Sequence, residues 1–233
     1  MNSTFYSTHM ARRIEQFMYK VYGWMFAGLA ITAATSFSLF NFFPQIMVAI
    51  LTNQMLFWGL FLAQIGLVMV LSAALQRLNF VTAALMFILY ASLVGITLSP
   101  IFLVYTWGSI YTTFLITSGM FGAMALYGYY TENDLTSLGN ILLMGLIGLL
   151  LAGFINRWVG SSQTDFLLSI GGVIIFTLLT AYDVQKIKTM STYAAMHEES
   201  ESKIAIRCAL TLYLDFINLF LYVLRFMGNK KRN

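Results

Sequence analysis

Two acidic residues, Asp183 in FTLLTAYDVQKI and Asp215 in ALTLYLDFINLFLYVLRF, sit inside the last two apolar stretches of a chain that is otherwise almost all hydrocarbon. Between Gln54 and Tyr182 only Arg77, Glu132, Asp134, Arg157 and Asp165 carry charge, each near a break in the apolar pattern. A carboxylate within a membrane span is costly to place and marks a functional site. Two of them in consecutive segments point to a site that binds protons, a cation, or both. Two carboxylates held together do not easily both ionise, so they titrate as a coupled pair. One shared proton would clasp the two segments; its loss would leave two anions that repel each other or take up a cation. Carboxylate, amide and carbonyl oxygens are hard ligands that suit calcium, but two carboxylates are too few for a tight cage. The expectation for Asp183 and Asp215 is therefore a weak, transient calcium site. Asp183 also admits a plainer reading, a solvated interfacial acid near a helix end, with Lys186 close behind it.

The residues around Asp215 sharpen this. At about 100° per residue, Thr211, Asp215, Asn218, Tyr222 and Arg225 share roughly an 80° arc, while Leu210, Leu212, Ile217, Leu221 and Leu224 lie opposite. Such a stripe faces protein or water rather than lipid and places the last segment at the centre of a bundle; solvation of an interfacial helix is the alternative. Gln64 is a lone amide in the second apolar segment, suited to a helix–helix hydrogen bond or to a pore. Arg77 reads as an inner-loop anchor. His9 and His197 are not spaced with other ligand types for a metal. No serine, histidine and acid constellation, glycine-rich phosphate loop, GxGD or HExxH pattern is present, so neither an enzyme nor a cofactor is expected.

These residues must be positioned by membrane helices. The chain has 233 residues, 59% hydrophobic and 9% charged, with mean hydropathy +0.78. Soluble domains carry about 25% charged residues, so this is an integral membrane protein, read as one domain over 1–233. Its single cysteine, Cys208, excludes an internal disulfide. The net charge of +4 is split between the ends and no basic run is interleaved with aromatics, so no nucleic-acid partner is expected. A span needs about 20 apolar residues. The sequence predicts an all-α protein of seven transmembrane helices at about 21–40, 55–75, 80–98, 110–130, 140–156, 166–187 and 209–227. The first run reads as a span and not a cleaved signal, and Arg12-Arg13 as charges holding the N-terminus inside rather than a twin-arginine signal. The polar stretch Lys188–Arg207 reads as a short solvated helix or loop. Gly119, Gly122, Ala125, Gly171 and Gly172 read as close helix packing. With the N-terminus cytoplasmic, inner segments hold eight Lys or Arg and outer loops only Arg157. The basic tail Arg225, Lys230, Lys231 and Arg232 breaks that pattern: the last segment either crosses against the rule or re-enters.

AYDVQKI (Ala181–Ile187) and LYLDFINLF (Leu212–Phe220) resemble signature segments of the Bax-inhibitor family of multipass membrane proteins. Tyr22-Gly23-Trp24-Met25, Val94-Gly95-Ile96-Thr97-Leu98-Ser99 and Ala123-Met124-Ala125-Leu126-Tyr127-Gly128 extend the resemblance over nearly the whole chain. The short polar ends resemble the bacterial inner-membrane branch. The resemblance implies a seven-helix fold with the last helix wrapped by the others. It also implies a pH-sensitive calcium leak governed by two aspartates, here Asp183 and Asp215, so protons and calcium are the expected partners besides the bilayer. In some members the second helix supplies a Glu to the pore; Gln64 stands at that place without a charge, which weakens cation attraction. Arg77 falls near a family arginine. Some bacterial relatives partner a membrane protease instead, so a non-conducting regulator is the alternative to a leak.

Overall fold

The computed structural model describes residues 3–73, 78–196 and 198–231, with side chains described for 10–73, 78–192 and 201–231. Nearly all of this is helix, and seven helices are long and apolar enough to cross a membrane. The elements are α1 (Ser3–Phe42), α2 (Pro44–Thr52), α3 (Gln54–Ala73), α4 (Phe80–Leu98), α5 (Ile101–Val104), α6 (Trp107–Tyr130), α7 (Thr136–Val159), α8 (Ser162–Met196) and α9 (Glu198–Met227). Among the described residues the only extended pairing is an isolated bridge between Tyr105 and Lys230.

The breaks follow from local chemistry. Pro44 occupies the first turn of α2, where its missing N–H costs nothing. Asn53 Oδ1 accepts the amides of Met55 and Leu56 at the start of α3, and Asn79 Oδ1 that of Thr82 in α4. Thr106 caps α6 through the Ser109 amide. Gly160, at φ 72°, ends α7 in the left-handed region that favours glycine.

Three sequence expectations change. The short helix α2 was not anticipated: its apolar run is too short to span and falls after the Asn41–Pro44 break. Several spans are longer than the apolar pattern shows, the first running Met10–Phe42 and the sixth Ser162–Thr192. The stretch 188–207 is no loop. It continues α8 to Met196 and begins α9 at Glu198, because it contains no Pro or Gly to stop a helix. Nor is it wholly solvated, since Ser191, Ala205 and Ile206 are buried. The last span is the most buried of the seven.

The chain forms two compact units. One comprises Met1–Val104 with Thr189–Tyr213, the other Tyr105–Lys188 with Leu214–Asn233. In the first, α1 packs closely on α4: a Cβ on Gly95 would lie 2.7 Å from the Thr32 carbonyl oxygen, and Ser36 donates to the Gly95 carbonyl at 2.6 Å. Gly28 leaves room for the rings of Phe87 and Tyr213. Lys20 and Glu201 pair at 2.6 Å between α1 and α9. In the second unit, rings and glycines join α6, α7, α8 and the end of α9. Large apolar side chains stay exposed on α7, among them Ile141, Met144, Ile147, Leu151 and Phe154, as a lipid-facing surface requires.

Candidate functional site

The acid pair lies on the seam between α8 and α9 in the second unit. On α8, Gly172, Phe176 and Asp183 fall on one face, because residues four and seven apart stack along a helix. On α9, Asp215 and Tyr222 are likewise seven apart. The seam joins like to like. Phe176 stacks on Tyr222 with ring centroids 5.7 Å apart and planes inclined by 23°. Two turns away, the carboxyls of Asp183 and Asp215 lie within hydrogen-bonding reach of each other. Gly172 makes the seam possible, since a Cβ there would lie 2.4 Å from the Tyr222 ring.

Asp215 is buried, with 5% of its surface exposed, and its Oδ2 has no protein partner. Asp183 is half-buried, in mid-helix rather than at a helix end, because α8 runs on to Met196. Lys186 is the cation whose field reaches Asp183; its ammonium lies 5.5 Å from the centre of the Tyr182 ring.

The rest of the AYDVQKI segment fixes α8 in place. The Ala181 carbonyl oxygen would lie 2.1 Å from a Cβ on Gly128, so α6 and α8 touch backbone to backbone. Tyr182 covers Gly139 of α7. Gln185 accepts the Leu135 amide at 2.9 Å and donates to the Asn133 carbonyl at 2.7 Å, gripping the α6–α7 connection. Lys188 donates to the Tyr129 carbonyl at 2.6 Å, its ammonium 4.8 Å from the Tyr129 ring centre. On α9, Phe216 sits against Phe114 and Phe121 of α6, at 5.8 and 5.5 Å.

The other expected site residues are scattered. Asn218 donates back to the Leu214 carbonyl at 2.8 Å, and Thr211 to the Arg207 carbonyl at 3.3 Å, so each makes a bond within its own helix. Arg225 is exposed; its field reaches Tyr222 and Tyr105. Gln64 belongs to the first unit, where Nε2 donates to the Leu93 carbonyl at 3.1 Å and to Thr97 Oγ1. It ties α3 to α4, the helix–helix bond among its expected readings. Arg77 and His197 lie outside the described residues, as does the side chain of His9. Among the described residues no group of three or more His, Cys, Asp or Glu converges on a point.

Sequence reasoning passed over two polar features. Thr32 Oγ1 donates to the Ala91 carbonyl at 2.9 Å and accepts from the fully buried Tyr213 hydroxyl at 2.7 Å. Thr113, Thr117 and Thr177 carry buried hydroxyls without a protein partner. The available signal was threonine spaced by four residues in an apolar span.

The family described as inhibitor of apoptosis-promoting Bax1 matches residues 14–232. The chain belongs to the Bax-inhibitor family. The inner membrane protein YbhL of Escherichia coli K12 is 47% identical over 219 residues, covering 94% of this chain and 93% of that protein. An uncharacterized protein of Borreliella burgdorferi is 45% identical over 94% of each chain. An uncharacterized membrane protein of Streptococcus pyogenes is 35% identical over 92% of this chain and 93% of its own length. This family member is a multipass membrane protein, with a bilayer as its surroundings.

Proposed function

We propose that this Bax-inhibitor family member is a pH-sensitive cation leak pathway of the bacterial inner membrane, with calcium as its candidate permeant ion and the Asp183–Asp215 pair as its gate. YbhL is named an inner membrane protein, and its 47% identity supports the same membrane for this chain. The observation that carries the reading is the close approach of two carboxyls on neighbouring spans, one of them buried. Two carboxylates bond to each other only when one of them holds a proton, whose O–H donates to the other. That proton clasps α8 to α9. Its release puts two like charges in contact where little water can screen them, so the seam opens or a cation enters to replace the proton. Oxygen ligands suit calcium, and two carboxylates hold it weakly enough to let it leave. Gln64, neutral and engaged with α4, adds no negative charge to attract cations.

The test is calcium flux into liposomes containing the purified protein, measured from acid to alkaline pH. The parent is expected to conduct with a pH-dependent rate. Asp215→Asn, which keeps size while removing the charge, is expected to abolish that dependence and leave a constant leak, raised or lowered. Asp183→Asn is expected to do the same, and the double variant to add nothing, because both sites share one titration. A parent that never conducts would transfer the fold to the alternative role, a non-conducting regulator that docks a membrane protease, with the acids as a lock between helices.

A further inference from the structure

In this chain several hydroxyls on helices are spent on the preceding turn. Ser92, Thr97, Ser169 and Thr180 each donate to the carbonyl four residues back, at 2.7 to 3.0 Å. Thr113, Thr117 and Thr177 do not. Their hydroxyl oxygens are buried and have no protein partner, and the fourth such side-chain atom among the described residues is Oδ2 of Asp215. All four belong to the second unit. Thr113 and Thr117 are 1% and 0% exposed, so neither can turn to bulk water. A dry apolar site penalises such groups, and a buried polar group is normally hydrogen-bonded.

Their placement is not random. Thr117 lies on α6 between Phe114 and Phe121, both of which pack on Phe216, the neighbour of Asp215. It therefore points from α6 toward α9. Thr113 is one turn earlier on the same side of α6. Thr177 lies on α8 about 100° around the helix from Phe176, the residue stacked on Tyr222. Three helices of the second unit thus carry unspent buried oxygens: α6, α8 and, at Asp215, α9.

We propose that Thr113, Thr117 and Thr177 line a lane of bound water that reaches Oδ2 of Asp215. Each water accepts from one hydroxyl and donates to the next oxygen, and the last donates to the carboxyl, meeting the two to four polar partners a buried water needs. The lane supplies the proton that the pair shares and receives. Its part in transport rests on the gate reading above; its hydration does not.

X-ray radiolytic footprinting of the intact protein in liposomes tests it, because bound water generates hydroxyl radicals in place and oxidises adjacent buried rings. Oxidation at Phe121 and Phe216 is expected to exceed that at Phe87, a fully buried ring of the first unit, by about tenfold. Thr113→Val with Thr117→Val is expected to bring both rings down to the Phe87 level, without raising the Tm. Labelling of Phe121 and Phe216 no greater than that of Phe87 in the parent overturns the lane. So does a higher Tm in the double variant, since valine improves a site only if it is dry. Neither readout needs conduction, so a parent that carries no calcium would end the gate reading while these results still decide the lane.

Discussion

Tyr213 stands two residues before Asp215 and is fully buried, yet it carries a hydroxyl. The structure shows what the hydroxyl does: it donates to Thr32 Oγ1, which in turn donates a hydrogen bond to the Ala91 carbonyl, so α9, α1 and α4 are joined by one short chain. Removing the donor and removing the acceptor should therefore differ. Tyr213→Phe leaves Thr32 bonded to the carbonyl and should cost about 0.5–1.5 kcal/mol of stability. Thr32→Val leaves the Tyr213 hydroxyl buried and unpaired and should cost about 1–3 kcal/mol. The double variant should fall short of the sum, as neighbours in one network do. Thermal unfolding of the four proteins in detergent checks this; equal losses from the two single variants would show that the chain of bonds does not form. Asp134, in the α6–α7 connection, is the counterpart among exposed acids. The Thr136 side chain and backbone amide hold its carboxyl below the ordinary carboxylate range. A depressed value contributes stability above the unfolded value and loses it only as pH falls through the folded one, so this group stays ionised through neutral pH. Asp134→Asn should leave the pH profile of flux unchanged, and a shifted profile would mean that the sensor is not confined to the seam.

Among the helices, the glycines separate positions that hold the bundle together from positions that do not. The sequence reads Gly119, Gly122, Gly171 and Gly172 alike as packing residues, but only Gly172 meets a close neighbour; Gly119 and Gly122 face open space, and Gly171 has only an ordinary contact at 3.6 Å. The tight approaches on α6 and α7 are at Gly128 and Gly139, which composition does not distinguish. Gly128→Ala would drive a methyl into the Ala181 backbone and should cost about 1–3 kcal/mol, the usual range for overpacking. Gly122→Ala should be neutral or gain up to about 1 kcal/mol, since alanine is the better helix former. Comparing the two Tm values checks the assignment, and equal effects would refute it. The same contrast explains what could be read beforehand. Helix type and the number of spans follow from composition and run length, and the candidate acid pair from two charges where hydrocarbon is the rule. Which face of α6 meets α8 does not follow, because an all-apolar span looks alike on every side. For the same reason the three unpaired threonines gave only a weak sign, and the path of α8 through Lys188–Met196 gave a misleading one, since polar residues mark the end of the lipid but not of the helix.

At the scale of the molecule, the unresolved question in the sequence was the basic tail. Positive charges favour the cytoplasmic side, yet seven crossings carry Arg225, Lys230 and Lys231 away from the other basic segments. The structure removes re-entry as a solution. α9 is one unbroken helix of 30 residues, about 45 Å at 1.5 Å per residue, well beyond the thickness of a bilayer core. Its end is also anchored. Thr106 donates its amide to the Asn229 carbonyl at 3.1 Å, the Asn229 amide donates to Ser109 Oγ at 2.7 Å, and Lys230 bridges to Tyr105. The tail therefore shares a side with the start of α6, which the chain reaches after three spans. A tail that stayed with the N-terminus would have to break all three links. Cysteine labelling from either side, in a background with Cys208 replaced, tests the arrangement. Ala11→Cys and Ser202→Cys should react only from the cytoplasm and Asn233→Cys only from outside, because the eight inner charges outweigh the tail. Labelling of Asn233→Cys from the same side as Ala11→Cys would mean that the tail is not held against α6 in the membrane, and that the positive charges, not the helix, decide where this chain ends.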